Sequence, residues 1–247
     1  MAGFENVGVF RELEFKGDAN QGQNVKGYFN PHKLMREYNF LELALDTTNL
    51  YSQQLDTDST QATGSGGLLF TTQATDTRVD IISCGGLHLY PAQNPVVEIK
   101  FQLDVVTTVA VNFGLSDAVA ASYGSGVLPF TISGTTVSDT TIADGAMFVF
   151  DTNQTTDYFY CCYDKNGTQA GSILSSAYAL TAAKDVILRV SLDTSGNARY
   201  YYNGTEVFYK ATAITTTDPF TALFGIRNNA AAAHVAKVRY IRTWVDA

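Results

Sequence analysis

The chain has 247 residues, of which 45% are hydrophobic and 16% charged, with a formal net charge of −8. That length is enough for one β-sandwich with a segment to spare. With 16 basic against 24 acidic residues, it lacks the massed Lys and Arg of a phosphate-binding face. No apolar run reaches the length of a membrane-spanning helix, so neither nucleic acid nor a membrane is expected as a partner.

In chain order, the start Met1-Ala2-Gly3-Phe4-Glu5 shows no basic-then-apolar leader, and synthesis in a host cytoplasm is expected. Gly17 to Asn24 has loop composition. Asn30 as N-cap and Pro31 at N1 predict a short helix over His32–Tyr38. Seven aromatics crowd this stretch: Phe4, Phe10, Phe15, Tyr28, Phe29, Tyr38 and Phe40. They need an apolar surface to lie on, either the chain's own sandwich or another subunit, and they are the interface candidates. Residues 1–60 therefore read as an irregular docking arm and 61–247 as the sandwich, joined through the polar stretch 56–67.

Beyond that joint, strands are predicted over Leu68–Thr72, Val79–Ser83 and Val96–Val106, with Val97, Ile99, Phe101 and Leu103 alternating against Glu98, Lys100, Gln102 and Asp104. Such alternation marks a sheet with one buried face. Val109–Leu115, Ala146–Asp151, Tyr158–Asp164, Val186–Asp193, Ala198–Asn203 and Thr205–Tyr209 follow, then Phe220–Arg227 and Lys237–Val245. Asn203-Gly204 is the strongest hairpin signal. Lys237, Arg239 and Arg242 alternate with apolar residues, as on a solvated strand face. Strands with regular turns and no intervening helices predict an all-β, two-sheet antiparallel sandwich.

The stretch from Asp185 to Val207, strand, Asp-x-x-Gly turn, aromatic strand, Asn-Gly turn, strand, carries a resemblance. Together with Phe148-Val-Phe-Asp151, Asp157-Tyr-Phe-Tyr160, Leu223-Phe-Gly-Ile-Arg-Asn228 and Val238-Arg-Tyr-Ile-Arg-Thr-Trp244, it resembles the concanavalin A-like lectin/glucanase superfamily, in its laminin-G-like and pentraxin-like branches. The likeness covers roughly the last 150 residues and implies a jelly roll. Low charge, loops rich in Thr, Ala and Gly, and the lack of a leader also resemble tailed-phage virion proteins.

Chemistry is sparse. Glu12-Leu-Glu14 and Glu42-Leu-Ala-Leu-Asp46 do not complete the Glu-x-Asp-x-x-Glu pattern of the superfamily's β-glucan hydrolases, which need two carboxylates flanking the bond. His32, His88 and His234 stand apart, and no Gly-x-Ser-x-Gly elbow exists. Cys84, Cys161 and Cys162 form no zinc spacing; the adjacent pair must face opposite sides of a strand, and all three are expected reduced. Calcium, the superfamily's usual ion, could draw oxygens from Asp144, Asp151, Asp164, Asn166 and Asp193, but only Asp56-Thr-Asp58 approaches a dense loop. No cofactor is expected, with calcium left open. A glycan platform could form at Tyr200, Tyr202 and Asn203, although alternation sends Tyr201 to the other face.

The expectation is a non-enzymatic structural protein of a phage particle, a capsid decoration protein on the virion surface. Its arm would dock on the major capsid protein or another virion subunit, within a homo-oligomer for which a trimer is open. The alternative is a carbohydrate-binding, lectin-like module, for example in a host-recognition fibre.

Overall fold

A computed structural model of the chain describes residues 11–16, 24–30, 33–38, 40, 51–56, 59–63, 66–74 and 77–246. For residues 11–30, backbone pairing alone is described. Phe4, Phe10 and His32 lie outside the described residues.

The strands, in chain order, are β1 (Arg11–Lys16), β2 (Asn24–Asn30), β3 (Lys33–Tyr38), β4 (Tyr51–Leu55), β5 (Thr60–Thr63), β6 (Leu68–Thr71), β7 (Val79–Leu89), β8 (Val96–Leu103) and β9 (Val109–Ser116). Next come β10 (Phe130–Ser133), β11 (Thr136–Asp139), β12 (Asp144–Asp151), β13 (Tyr160–Lys165) and β14 (Gln169–Ile173). The last five are β15 (Val186–Leu192), β16 (Ala198–Tyr202), β17 (Thr205–Lys210), β18 (Phe220–Asn228) and β19 (Val235–Asp246). Short 3-10 turns at Pro91–Gln93, Ala120–Ser122 and Ser176–Tyr178 are the helical elements among the described residues.

These strands build the expected two-sheet antiparallel jelly roll. A ten-stranded sheet runs β1-β2-β3-β19-β8-β15-β16-β17, with β5 and β6 attached to β19. A seven-stranded sheet runs β14-β13-β12-β9-β18-β7-β4, and β10 and β11 form a separate hairpin. Strand β19 pairs along one side with β8, and along the other first with β6 and then with β3.

Between the sheets the predicted alternation holds. Val97, Ile99, Phe101 and Leu103 of β8 face Phe148 and Phe150 of β12, Val111 and Phe113 of β9, and Phe224 of β18 in one buried core. Rings meet edge-on there: Phe70 and Phe224 lie 5.1 Å apart and Phe148 and Tyr200 5.4 Å apart. Edge-on packing adds to area burial because ring edges are positive and ring faces negative. Cys161 points into this core and Cys162 to the opposite side, and all three cysteines are free and buried.

Two expectations for residues 1–60 are corrected. Lys33–Tyr38 is not a helix but strand β3, laddered to β2 on one side and β19 on the other. A two-turn helix leaves most of its terminal backbone groups without partners, whereas the strand satisfies both edges. Second, Tyr38 and Phe40 are not available to another subunit. They are buried at 2% and 4% exposure and stack on Tyr51 of β4, each at 5.5 Å. Of the two surfaces open to the aromatics, these two use the chain's own sandwich. Phe15 lies on β1, and Tyr28 and Phe29 on β2.

Candidate functional site

Three surfaces could carry function: the outer face of each sheet, and the end of the sandwich where β3, β7 and β19 converge.

The outer face of the seven-stranded sheet is closed. Alternation turns Met147 and Val149 of β12, Cys162 of β13, Leu223 of β18 and Ile81 of β7 away from the main core. The segment 117–142, which includes the β10–β11 hairpin, lies over them and buries Tyr123, Leu128, Phe130, Ile132 and Ile142 in a second core. Main-chain groups fix the cover. The Phe130 amide donates to Asn112 Oδ1 (2.8 Å), the Ile132 amide to Asp151 Oδ2 (3.2 Å) and the Ala120 amide to Ser83 Oγ (3.0 Å). A Cβ on Gly225 would sit 2.7 Å from Leu128 Cδ2, so the absent side chain makes room for the cover. Asp151 also holds Arg227 at 3.2 Å and accepts from Asn229 Nδ2 at 2.7 Å. Asp151 is thus a structural clamp. At one margin, burial raises the Asp164 carboxyl, and the neighbouring Asp139 carboxyl of β11 raises it further.

The outer face of the ten-stranded sheet is open and polar. Glu98 of β8 accepts Arg189 Nε at 2.9 Å and Nη2 at 2.6 Å, and the Tyr240 hydroxyl at 3.1 Å. Arg242 pairs with Glu37 at 2.6 Å. The Arg189 guanidinium lies 5.6 Å from the Tyr201 ring centre and 5.3 Å from that of Trp244. Arg239 pairs with Asp185 at 3.3 Å. Arg239 and Arg242 of β19 therefore lie on the solvated strand face expected of them, with their charges met by neighbouring carboxylates.

The glycan platform expected at Tyr200 and Tyr202 is not there. Tyr200 is fully buried and its hydroxyl donates to the Cys162 carbonyl at 2.6 Å. Tyr202 packs on Tyr178 and Phe159, and its hydroxyl donates to the Ala179 carbonyl. Asn203 adopts φ 48° in the hairpin turn and accepts the Ile187 amide at 2.9 Å. Alternation placed Tyr201 outward correctly; the core claimed the other two rings. Among the candidate calcium oxygens, those of Asp193 and Asp144 are occupied by turn duties and those of Asp151 by the clamp described above. Asp193 accepts the Ser195 and Asn197 amides, and Asp144 the Thr215 and Asn166 amides. Among the described residues no three His, Cys, Asp or Glu side chains converge on a metal position.

The third surface is concave. A cavity of about 140 Å³ is lined by Leu34, Arg36, His88, Leu89, Gln93, Thr243, Trp244 and Val245. It exists because β7 leaves register: Cys84 faces Ala222 and Leu89 faces Phe220, so four residues of β7 span one of β18. Gly85 permits the excursion at φ +73°. The excursion presents Leu87 and His88 at the sandwich end. His88 Nδ1 contacts the Gly86 carbonyl at 2.6 Å. A carbonyl only accepts, so Nδ1 carries the hydrogen and Nε2 of the neutral ring is an acceptor. Nε2 has no partner. Desolvation lowers the His88 pKa against the raising effect of the Gly86 bond, and the Arg36 charge lowers it further. Arg36 is exposed and hydrogen-bonds the Tyr38 hydroxyl. Among the described residues no Asp or Glu lines the cavity. In the sequence His88 stands apart; the register excursion that brings it to β3 and β19 leaves only the Gly85-Gly86 pair as a signal.

This architecture is the concanavalin A-like jelly roll, a fold shared by carbohydrate-recognition domains and glycoside hydrolases. The sequence matches no family model and no curated relative at a significant level. Solved structures match. A Bacillus licheniformis β-glucanase aligns with TM-score 0.58 at 12% identity, over 84% of this chain and 96% of that one. The potassium-bound carbohydrate recognition domain of Emp46p aligns with TM-score 0.57 at 13% identity, over 83% and 94%. A structure from work on endo-acting O-glycanases of human gut microbiota in mucin breakdown aligns with TM-score 0.60 at 10% identity, over 85% and 98%. At these identities the likeness concerns the fold.

Proposed function

We propose that the protein is a non-catalytic, glycan-recognising module that binds at the cavity between β3, β7 and β19. The observation that carries this reading is the convergence there of a donor, Arg36, an amide, Gln93, and the partnerless acceptor of His88 beside apolar Leu34, Leu89 and Val245. Sugars present an apolar ring face and a rim of hydroxyls, and pockets that hold them combine an apolar surface with a few placed polar groups. A slight tilt of the half-buried imidazole would let a sugar hydroxyl donate to Nε2. The fold's kinship with carbohydrate-recognition domains supports the reading. The described lining holds no carboxylate pair of the kind that hydrolysis uses, which favours binding.

The other reading, a phage capsid decoration protein docked through residues 1–60, is weakened by Tyr38 and Phe40, which lie in the chain's own core. The test is a glycan array followed by calorimetry. His88→Ala should weaken binding of the selected glycan at least tenfold, while Tyr209→Ala, on an exposed ring of β17, should leave it unchanged. Failure to bind any glycan, or binding indifferent to His88→Ala, would overturn the proposal.

A further inference from the structure

Charge divides the arginines of this chain. Arg189, Arg199, Arg227, Arg239 and Arg242 each meet a carboxylate, at distances between 2.6 and 3.3 Å. Arg36 meets none among the described residues, and it is the one residue of fixed charge in the described lining of the sandwich-end cavity. Its strand neighbour Glu37 lies on the opposite face of β3, as alternation requires. Arg242 holds Glu37 there at 2.6 Å, so that carboxylate does not answer Arg36.

The guanidinium is held in place. Positions 34, 36 and 38 share one face of β3, and the hydroxyl of buried Tyr38 accepts a hydrogen bond from Arg36. That hydroxyl and the His88 ring both border Gly85. A Cβ there would stand 4.0 Å from the Tyr38 hydroxyl oxygen and 3.3 Å from His88 Cε1. Arg36, His88 and Gln93 line one cavity with Leu34, Leu89 and Val245. A guanidinium carries five N–H donors in a planar fork, so the bond to Tyr38 leaves donors for an incoming carboxylate. The cavity, about 140 Å³, is smaller than the ~300–1,000 Å³ clefts that enclose drug-sized ligands. That is room for one sugar residue and not for a run of them.

Given the glycan reading above, on which this rests, we infer that the cavity between β3, β7 and β19 selects an acidic sugar, whose carboxylate pairs with Arg36. Its hydroxyls then meet Gln93 and His88, and its apolar ring face lies toward Leu34, Leu89 and Val245. A cation without a counter-charge, in a lining whose described residues include no carboxylate, attracts an anionic ligand. A neutral sugar leaves that charge unanswered, and discrimination between the two follows from the difference.

The experiment is titration calorimetry on the full chain at neutral pH and low ionic strength. The probes are the methyl glycosides of glucuronic acid, galacturonic acid and N-acetylneuraminic acid, each beside its carboxyl-reduced alcohol. At least one acid should bind about tenfold more tightly than its alcohol, the scale of a charge-assisted hydrogen bond. Added salt should shrink that preference, because Arg36 is exposed. Arg36→Gln should remove the preference and leave binding of the alcohol unchanged, while Arg36→Lys, which keeps the charge and loses the fork, should retain part of it. Equal affinity for acid and alcohol, or a preference that survives in Arg36→Gln, overturns the inference and leaves the glycan reading standing. Acetate that competes as well as the sugar acid shows a bare anion site and overturns it too. Binding of neither acids nor alcohols, with an empty glycan array, removes the glycan reading and the inference with it.

Discussion

The outer faces of the two sheets follow the same two-residue alternation and end in opposite states. In β12 every residue is buried, because the side chains that leave the main core enter a second one. In β15 buried and half-exposed residues alternate, because Ile187, Arg189 and Ser191 meet solvent and neighbouring charges. A strand with apolar residues on both faces demands a cover, and segment 117–142 is the cover. A strand with one polar face needs none. The fold's closed face and open face are therefore both set by residue chemistry at alternate positions.

The sharpest way to break the contrast is to remove the cover's anchor. Phe130→Ala should destabilise the protein by about 3–5 kcal/mol, read by denaturant melts, because the ring is fully buried and leaves a cavity. Gly225→Ala presses on Leu128 and should cost about 1–3 kcal/mol as overpacking. Adding Leu128→Ala to Gly225→Ala should return part of that loss, because the two sites share one volume.

A smaller effect separates the faces by pH. On the covered side the Asp164 carboxyl is raised to about 7, so its folded-state contribution is present below about pH 4 and is lost as pH rises toward neutrality. On the open side burial alone would raise Asp185, but hydrogen bonds from Lys100 and Arg239 override it and hold its pKa below the ordinary range. Its contribution is present above about pH 4 and is lost as pH falls below that. Asp164→Asn should therefore flatten the fall in Tm between about pH 4 and 7 by a few degrees, and Asp185→Asn the fall below about pH 4; slopes of the reverse assignment would refute the account. The smallest effect belongs to Arg199, whose exposed pairing with Glu206 at 3.1 Å should leave Tm unchanged in Arg199→Ala.

Much of the fold was legible in these same alternations. The inward set Val97, Ile99, Phe101 and Leu103 and the opposed Cys161 and Cys162 could be read directly, since a period of two has one solution once a face is buried. The β10–β11 hairpin escaped, because Thr136-Val-Ser-Asp139 is short and polar and its pairing rests on a tight turn at Gly134, φ 62°. The Asn30-Pro31 start signal suggested a helix, but it is local and could not weigh the two ladders that β3 gains from distant strands. The sandwich-end cavity was the least legible feature. Arg36, His88 and Trp244 lie on three strands, and only tertiary structure joins them.

Strand β19 receives β8 on one side and both β6 and β3 on the other. Of the described strands it is the last to leave the ribosome, yet it is the inner seam of its sheet. Until Val235–Asp246 has been synthesised, the nascent chain carries an apolar β8 edge with nothing to pair it, which is the kind of edge that invites aggregation. Folding of this sandwich is thus tied to the completion of translation through that strand. A stop codon before Val235 should yield insoluble product.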